Sequence, residues 1–239
     1  MPSSVFCSRQ FPPVQVSVWP EGQPDLRRRH LLWQGARAIA VMGSGVGLLA
    51  LAGCDRTDSD GTSASRPMGT FKGIDITGAP YGRDFALTDM HGQPRTLADF
   101  KGRVVMLYFG FVQCPDVCPT ALTRASQVMQ MLGPELAARV QVIFVTVDPE
   151  RDTPELLRDY MAAFDARFLA LVGTLEQTQA AANEFRVFYK KVPTGSTYTM
   201  DHTALTYLFD PQGRFRVALR HEQTADDYAA DIRTLLTGG

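Results

Sequence analysis

Short apolar runs in the C-terminal two thirds of the chain predict the strands of a buried sheet. Two of these runs are continuous rather than alternating, which is typical of strands that are covered on both faces. Pro211-Gln212-Gly213 predicts a tight turn between the last two runs. The predicted strands are 104–109, 140–147, 168–172, 204–209 and 214–219.

Amphipathic segments between these runs predict helices. Thr153 is placed to cap a helix with Pro154 at its first position, and Thr174 is placed to cap the next one. The segment around Pro193 and Gly195 is predicted to be a loop. The predicted helices are 115–132, 154–164, 175–185 and 225–236. Because helices alternate with strands, we expect an α/β fold with a central sheet covered by helices on both faces and a hairpin at one edge.

The N-terminal part, residues 1–53, is predicted to be a signal peptide of the lipoprotein type. Three arginines precede a stretch of small apolar residues, 38–52, as in secretory signals. The stretch ends at Leu51-Ala52-Gly53-Cys54, which resembles a bacterial lipobox and predicts lipidation of Cys54. A membrane-spanning signal-anchor helix beginning at Leu31 is the alternative. The paired arginines also resemble a twin-arginine export motif.

Residues 54–70 predict a lipidated cysteine followed by a flexible tether. The segment is rich in Ser, Thr, Asp and Gly and has no apolar periodicity. Asp55 resembles a sorting signal that retains lipoproteins at the inner membrane. We therefore expect the folded domain, residues 71–239, to be held by lipid at the extracytoplasmic, periplasmic face of a bacterial inner membrane.

Composition and cysteine usage narrow the functional classes. The chain has 239 residues, of which 45% are apolar and 21% charged, with a formal net charge of −1. A near-neutral chain without a basic stripe is not expected to bind nucleic acid. Four cysteines, Cys7, Cys54, Cys114 and Cys118, are too few and too unevenly spaced for a disulfide framework. Cys7 lies in the predicted leader and suggests no function.

The motif Cys114-Pro115-Asp116-Val117-Cys118-Pro119 carries the clearest chemistry. It follows the first long predicted strand and opens a helix, which is the usual ligand position in an open α/β sheet. Cysteines at i and i+4 place both sulfurs on one face, and the helix N-terminus is expected to lower the pKa values of both thiols. Such a pair suits Cu(I), zinc or a reversible disulfide. Buried structural thiols or an inert disulfide are the alternative.

Three blocks of the chain together resemble the Sco/SenC family of copper chaperones. The first is Gly110-Phe111-Val112-Gln113-Cys114-Pro115-Asp116-Val117-Cys118-Pro119. The second is Val147-Asp148-Pro149-Glu150-Arg151-Asp152-Thr153-Pro154-Glu155, and the third is Asp201-His202-Thr203-Ala204. The blocks occur in the order of the family, and the likeness extends from about Phe85 to Leu236.

This resemblance implies both a fold and a function. The fold would be thioredoxin-like with a peroxiredoxin-type insertion. Copper would be bound by Cys114, Cys118 and His202, as Cu(I) and also as Cu(II). The implied role is that of a metallochaperone, rather than an enzyme, that assembles the binuclear copper centre of cytochrome c oxidase. The expected partners are the copper-binding subunit of that oxidase and another periplasmic copper donor.

Two further residues are candidates near this site. His202 is predicted to lie in a loop that leads into a neighbouring strand, and imidazole is a common partner of thiolates at copper. Asp201 is a candidate to orient that ring as a hydrogen-bond acceptor, with a solvated loop charge as the alternative. Asp148 ends the second predicted strand and is expected to cap the next turn, or else to shape the site.

Three other functions are alternatives to copper carriage. A thiol–disulfide oxidoreductase usually has two residues between its cysteines and a cis-proline that faces them. Here three residues lie between the cysteines, and the nearest proline before the strand 204–209, Pro193, is too far back for that role. The site is nevertheless compatible with one role of this class, reduction of the copper-ligand cysteines of the oxidase. A peroxidase would use one cysteine with Thr120 and Arg124, but the second thiol one turn away argues against it. A purely structural lipoprotein would leave the cysteine motif unexplained.

Overall fold

An eight-stranded mixed sheet lies at the centre of the residues that the computed structural model describes, 71–238. The strands are β1 (Ile74–Asp75), β2 (Leu87–Asp89), β3 (Pro94–Arg95), β4 (Val104–Gly110), β5 (Val140–Thr146), β6 (Leu169–Val172), β7 (Tyr189–Thr194), β8 (Thr197–His202), β9 (Thr206–Phe209) and β10 (Phe215–Leu219). The helices are α1 (Val117–Ala137), α2 (Pro154–Ala162), α3 (Leu175–Glu184) and α4 (Ala225–Leu236), with a short 3₁₀ turn at Leu97–Phe100. The sheet order is β1-β10-β9-β4-β5-β6-β2-β3, and β7 and β8 form a separate pair.

The middle of the sheet is built from the two continuous apolar runs. Every residue of β4 and of β5 is buried, which confirms that both strands are covered on both faces. The two strands pair in parallel from Val104 opposite Val140 to Gly110 opposite Thr146. Strand β9 pairs with β4 in the antiparallel direction on its other side. The C-terminal end of β4 therefore lies in the middle of the row of strand ends, and the chain continues from there into α1.

Helices α1, α2 and α4 cover one face of the sheet. α1 packs against α4, and the hydroxyl of Ser126 in α1 donates to the carbonyl of Phe164 just beyond α2 at 3.0 Å. The Tyr228 hydroxyl of α4 donates to the Thr206 hydroxyl of β9 at 3.2 Å. These contacts place the three helices on the face towards which the Thr206 side chain points.

Helix α3 covers the opposite face. Its C-cap residue, Phe185, contacts the rings of Phe109, Tyr207 and Phe209, with centroids 5.5 to 6.2 Å away. Adjacent side chains of a strand point to opposite faces, so Tyr207 lies on the opposite face from Thr206, which contacts α4. Helices thus cover both faces, and the α/β, thioredoxin-like fold is confirmed. Between β5 and β9 the chain adds α2, β6, α3 and the β7–β8 pair to this core.

The structure departs from the sequence-based expectation in two places. Where a loop was expected around Pro193, β7 and β8 form a hairpin that turns at Gly195, whose φ of 63° suits glycine. Proline is tolerated there because β7 pairs with β8 alone among the strands of residues 71–238. Three short strands before β4, namely β1, β2 and β3, were not predicted, because two or three residues carry no periodic signal.

The predicted end of the first helix, residue 132, coincides with a break inside α1. Gly133 has a φ of 73° and interrupts the helical backbone, and a last turn then restarts at Pro134. The remaining predicted boundaries agree with the structure to within two residues. The predicted signal peptide, lipidated Cys54 and tether lie outside the described residues. Within residues 71–238, no helix has both the length and the apolar character needed to cross a membrane.

Candidate metal centre

The two cysteines are brought together by the turn between β4 and α1. The backbone N–H of Cys114 donates to the carbonyl of Phe111 at 3.3 Å, and α1 begins three residues later at Val117. Cys114 therefore lies just before the helix and Cys118 lies in its first turn, where its N–H donates to the Cys114 sulfur at 3.4 Å. Both are free thiols, Cys114 half-buried and Cys118 fully buried.

His202, the last residue of β8, completes a cluster with these cysteines. Its Nε2 lies 3.5 Å from the sulfur of Cys118, and its Nδ1 lies 3.1 Å from the carbonyl oxygen of Thr203. When Nδ1–H donates to that carbonyl, the lone pair of Nε2 is left facing the sulfurs. The rings of Tyr108 and Phe111 meet the imidazole edge to face, with centroids 6.1 and 5.8 Å away. The imidazole is thus held by one backbone contact and two rings.

The two thiols differ in acidity because one stabilises the other. A hydrogen bond from Cys118, aided against burial by His202 and by two backbone N–H groups, lowers the pKa of Cys114 to about 4. The same hydrogen bond, together with burial, raises the pKa of Cys118. The expectation that the helix N-terminus lowers the pKa values of both thiols is therefore wrong for Cys118, which gives its proton to the hydrogen bond that stabilises the Cys114 thiolate. Near neutral pH the pair therefore holds one proton, with the thiolate on the half-buried Cys114. Thiolate is the form of cysteine that attacks disulfides and binds metals.

The walls around Cys118 leave little free space. A Cβ on Gly110 would lie 2.9 Å from the Cys118 sulfur and 2.7 Å from a ring carbon of Phe144. Burial, together with the neighbouring Cys118, raises the pKa of Tyr108, whose buried hydroxyl makes no hydrogen bond to a nitrogen or oxygen atom of the part of the chain that the structure describes. Glycine at position 110 is therefore required for the close approach of α1 to the end of β4.

A cavity of about 300 Å³ opens from the cluster to solvent. It is lined by residues of the cysteine turn and of β8, among them Cys114, Asp116, Met200, Asp201 and His202. Asp201 is exposed and lies on the rim of this cavity, while the contact to Nδ1 of the imidazole comes from the backbone of the following residue. The role of Asp201 as a hydrogen-bond acceptor for the imidazole stays a prediction.

The loop between β5 and α2 forms hydrogen bonds with both segments of the site, the cysteine turn and β8. The buried carboxylate of Asp148 accepts hydrogen bonds from Arg151 and from the Tyr198 hydroxyl in β8, the latter at 2.8 Å. Asp152 accepts from the backbone N–H of Val112 at 3.1 Å, and burial raises the pKa of this carboxyl. Asp148 therefore belongs to the surroundings of the site, as the alternative interpretation had it.

Sequence reasoning missed Arg151 and Tyr198 in these surroundings. A usable signal was present for Arg151, which lies in a polar block directly after a buried strand. Thr120 and Arg124, considered above for a peroxidase, line a different groove along α1, and the Arg124 guanidinium lies 5.6 Å from the ring centroid of Tyr228.

The donor atoms of the cluster fit one metal ion. The two sulfurs and the imidazole nitrogen lie within 4.8 Å of one another. With metal–sulfur and metal–nitrogen bonds of about 2.0–2.3 Å, three ligands around one ion are separated by about 3.5–4 Å. A small contraction of the cluster would therefore bring all three donors into one coordination sphere.

Comparison with known proteins identifies the family. The family model described as SCO1/SenC matches residues 75–237. The mitochondrial SCO2 homolog of Mus musculus is 40% identical over 154 residues, which cover 63% of this chain and 60% of the mouse protein. The chain thus spans about three fifths of the length of that curated relative.

Two solved structures are similar as well. The structure of Bradyrhizobium japonicum ScoI with copper bound is 42% identical, with a TM-score of 0.60, and the match covers 64% of this chain and 98% of that one. Apo Sco1 from Thermus thermophilus is also 42% identical, with a TM-score of 0.63 and coverage of 71% and 99%. Because the family model matches more than half of its length, the chain belongs to the SCO1/SenC family.

Proposed function

We propose that this protein is a copper metallochaperone that delivers copper to the binuclear centre of cytochrome c oxidase. The observation that carries the proposal is the convergence of Cys114, Cys118 and His202 to within 4.8 Å. A relative of 42% identity whose structure is described as copper-bound supports copper as the cargo. The copper-binding subunit of the oxidase would be the acceptor, and another periplasmic copper protein the donor.

The chemistry of the donor set favours copper, above all as Cu(I). Two thiolates and one imidazole are soft to intermediate ligands, which suit Cu(I) better than hard cations. The Cys114 thiolate is already formed near neutral pH, whereas Cys118 must release its proton when the metal binds. Cu(II) is the second oxidation state that these donors can hold, since imidazole and thiolate together also suit it.

A second candidate function is reduction of the oxidase's copper-ligand cysteines. The observation that favours it is a pair of free thiols with one acidic member. The Cys114 thiolate would attack a disulfide of the target and form a mixed disulfide, and Cys118 would then resolve it. The target would gain two electrons and leave with two thiols, and this protein would retain the Cys114–Cys118 disulfide.

Copper binding is expected to depend on the redox state of the two cysteines. We expect the reduced full-length protein to take up one Cu(I) per chain and the protein with a Cys114–Cys118 disulfide to take up none, because a disulfide removes both thiolates. Metal analysis after gel filtration, paired with thiol titration, measures both quantities. Stoichiometric Cu(I) uptake by the fully oxidised protein would refute the proposed site.

We propose that the domain is anchored through Cys54 at the periplasmic face of the inner membrane. Cys54→Ser is expected to prevent lipidation, so that the protein is either left unprocessed or released from the membrane fraction. Cys7→Ser, outside the lipobox, is the matched control and should leave both unchanged. Mass spectrometry of the membrane form decides the matter, and a wild-type chain with an intact N-terminus and no lipid would contradict the proposal.

A further inference from the structure

The hairpin that carries His202 is separate from the main sheet. β7 and β8 pair only with each other among the described strands, and Tyr189 lies opposite His202 at the base of the pair. Residues 190–197, which include the turn, are exposed. Because an isolated two-stranded hairpin is marginally stable in water, its position over the cysteines requires contacts with other parts of the domain.

One loop supplies a compact set of such contacts. The Arg151 guanidinium carbon lies 3.7 Å from the ring centroid of Tyr198, and Nη1 of Arg151 donates to the Tyr198 carbonyl at 2.8 Å. The Tyr198 hydroxyl donates to Asp148, which also accepts from Nε of Arg151. We call these three residues, Asp148, Arg151 and Tyr198, the hairpin clamp. Beside it, Lys191 of β7 forms an ion pair with Glu150.

Burial makes the loss of one partner of the hairpin clamp more costly than the loss of an ordinary surface contact. The side chain of Asp148 is 0% exposed and that of Arg151 is 16% exposed, so water screens their interaction little. Lysine would not replace Arg151 without loss, because only the planar guanidinium stacks on the Tyr198 ring while Nε and Nη1 donate hydrogen bonds. Loss of Arg151 would also leave a buried carboxylate without its cation.

Arg151 reaches both segments that hold the donor atoms. Its Nη1 donates to the side-chain oxygen of Gln113, the residue before Cys114, at 3.1 Å. Its contacts with Tyr198 lie four residues before His202 in the same strand. The cysteine turn contributes only one polar contact to this arginine, whereas β8 contributes a ring and a carbonyl. The hairpin is therefore the segment that depends more on Arg151.

We propose that Arg151 is a positioning residue that holds His202 over Cys114 and Cys118 through the hairpin clamp. The inference rests on the proposed copper function, and it assigns no contact with the metal to Arg151. Without the hairpin clamp, the hairpin would sample positions in which the imidazole is away from the sulfurs. The apparent affinity for copper would then fall in proportion to the fraction of molecules with all three donors in place.

Copper affinity in a double-mutant cycle tests the proposal. In the reduced full-length protein, Arg151→Ala is expected to weaken Cu(I) binding by about 10- to 100-fold, the range for loss of an outer partner of a ligand. In the His202→Ala background the same change should alter affinity by less than about 2-fold, because the ligand it positions is gone. Competition with a Cu(I) chelator measures both, and Arg167→Ala, which removes a surface ion pair with Asp165, is the matched control.

A second measurement needs no copper. Amide hydrogen exchange in residues 189–202 should accelerate in Arg151→Ala, while β4 and β5 keep their protection. Tyr198→Phe removes one hydroxyl and keeps the ring, so it should change copper affinity and hairpin exchange in the same direction but by less. If Arg151→Ala fails to fold, Tyr198→Phe replaces it as the test variant.

Two results would overturn the positioning role. One is a folded Arg151→Ala protein with wild-type copper affinity and wild-type hairpin exchange. The other is an equal loss of affinity in the presence and absence of His202, which would place the effect in the cysteine turn through Gln113. A wild-type protein that binds no copper would refute the proposed function instead, and hydrogen exchange would still decide whether the hairpin clamp holds the hairpin.

Discussion

His202→Ala is expected to weaken Cu(I) binding by more than about 100-fold, since loss of an outer partner of a ligand alone costs about 10- to 100-fold. The variant removes one of three donor atoms from a cluster that spans no more than 4.8 Å. Formation of the Cys114–Cys118 disulfide should be nearly unchanged, because the hydrogen bond from Cys118 is the main cause of the low pKa of Cys114 and His202 contributes less. Chelator competition and a thiol–disulfide redox titration measure the two properties separately.

This variant also separates the two candidate functions. A copper carrier needs all three side chains, whereas a disulfide reductase needs only the cysteines. At limiting copper, cells with His202→Ala should fail to assemble the oxidase copper centre, and the exposed His91→Ala should serve as the unaffected control. If His202→Ala keeps normal copper affinity and oxidase activity while Cys114→Ser and Cys118→Ser lose activity, copper carriage is not the function and the reductase takes its place.

The parts of the site that could be predicted from sequence are those in which local pattern and chemistry coincide. Cys114 and Cys118 follow a continuous apolar strand and open a helix, so their position at the sheet edge follows from secondary structure alone. The local signal for His202 is weaker, because it consists only of a predicted loop that leads into a strand next to the cysteine turn. The family resemblance adds its grouping with the cysteines as a copper ligand, and in the structure Nε2 of His202 lies 3.5 Å from the Cys118 sulfur.

The hairpin and the hairpin clamp could not be predicted, for a physical reason. β7 is largely exposed and contains Pro193, so it lacks the alternation of apolar and polar residues that indicates a strand. The contact between Arg151 and Tyr198 joins residues 47 positions apart, and it exists only once α2, β6 and α3 have been placed between them. Such long-range polar contacts leave no periodic trace, although they decide where His202 lies.

Phe185→Ala is expected to destabilise the domain by about 3–5 kcal/mol, the usual cost of removing a buried phenylalanine side chain. The ring is 1% exposed and contacts a set of aromatic side chains on the face covered by α3. These are Phe85, Phe109, Tyr207, Phe209 and Phe215, with centroids between 5.5 and 6.5 Å away. Its neighbours come from three strands, β4, β9 and β10, and from the loop before β2, so no single side chain can move to fill the cavity that alanine would leave.

The loss should appear as a lower midpoint of urea unfolding with a similar slope, since the surface exposed on unfolding changes little. Phe188→Ala is the matched control, because that ring is 56% exposed three residues later and its removal should cost less than about 0.5 kcal/mol. Tyr108, which contacts the imidazole, and Phe109, which contacts Phe185, point to opposite faces of β4. The folded fraction of Phe185→Ala should therefore still bind one copper per chain. A loss below about 1 kcal/mol would mean that this aromatic cluster is not the main core, and a folded variant unable to bind copper would mean that the two faces are coupled.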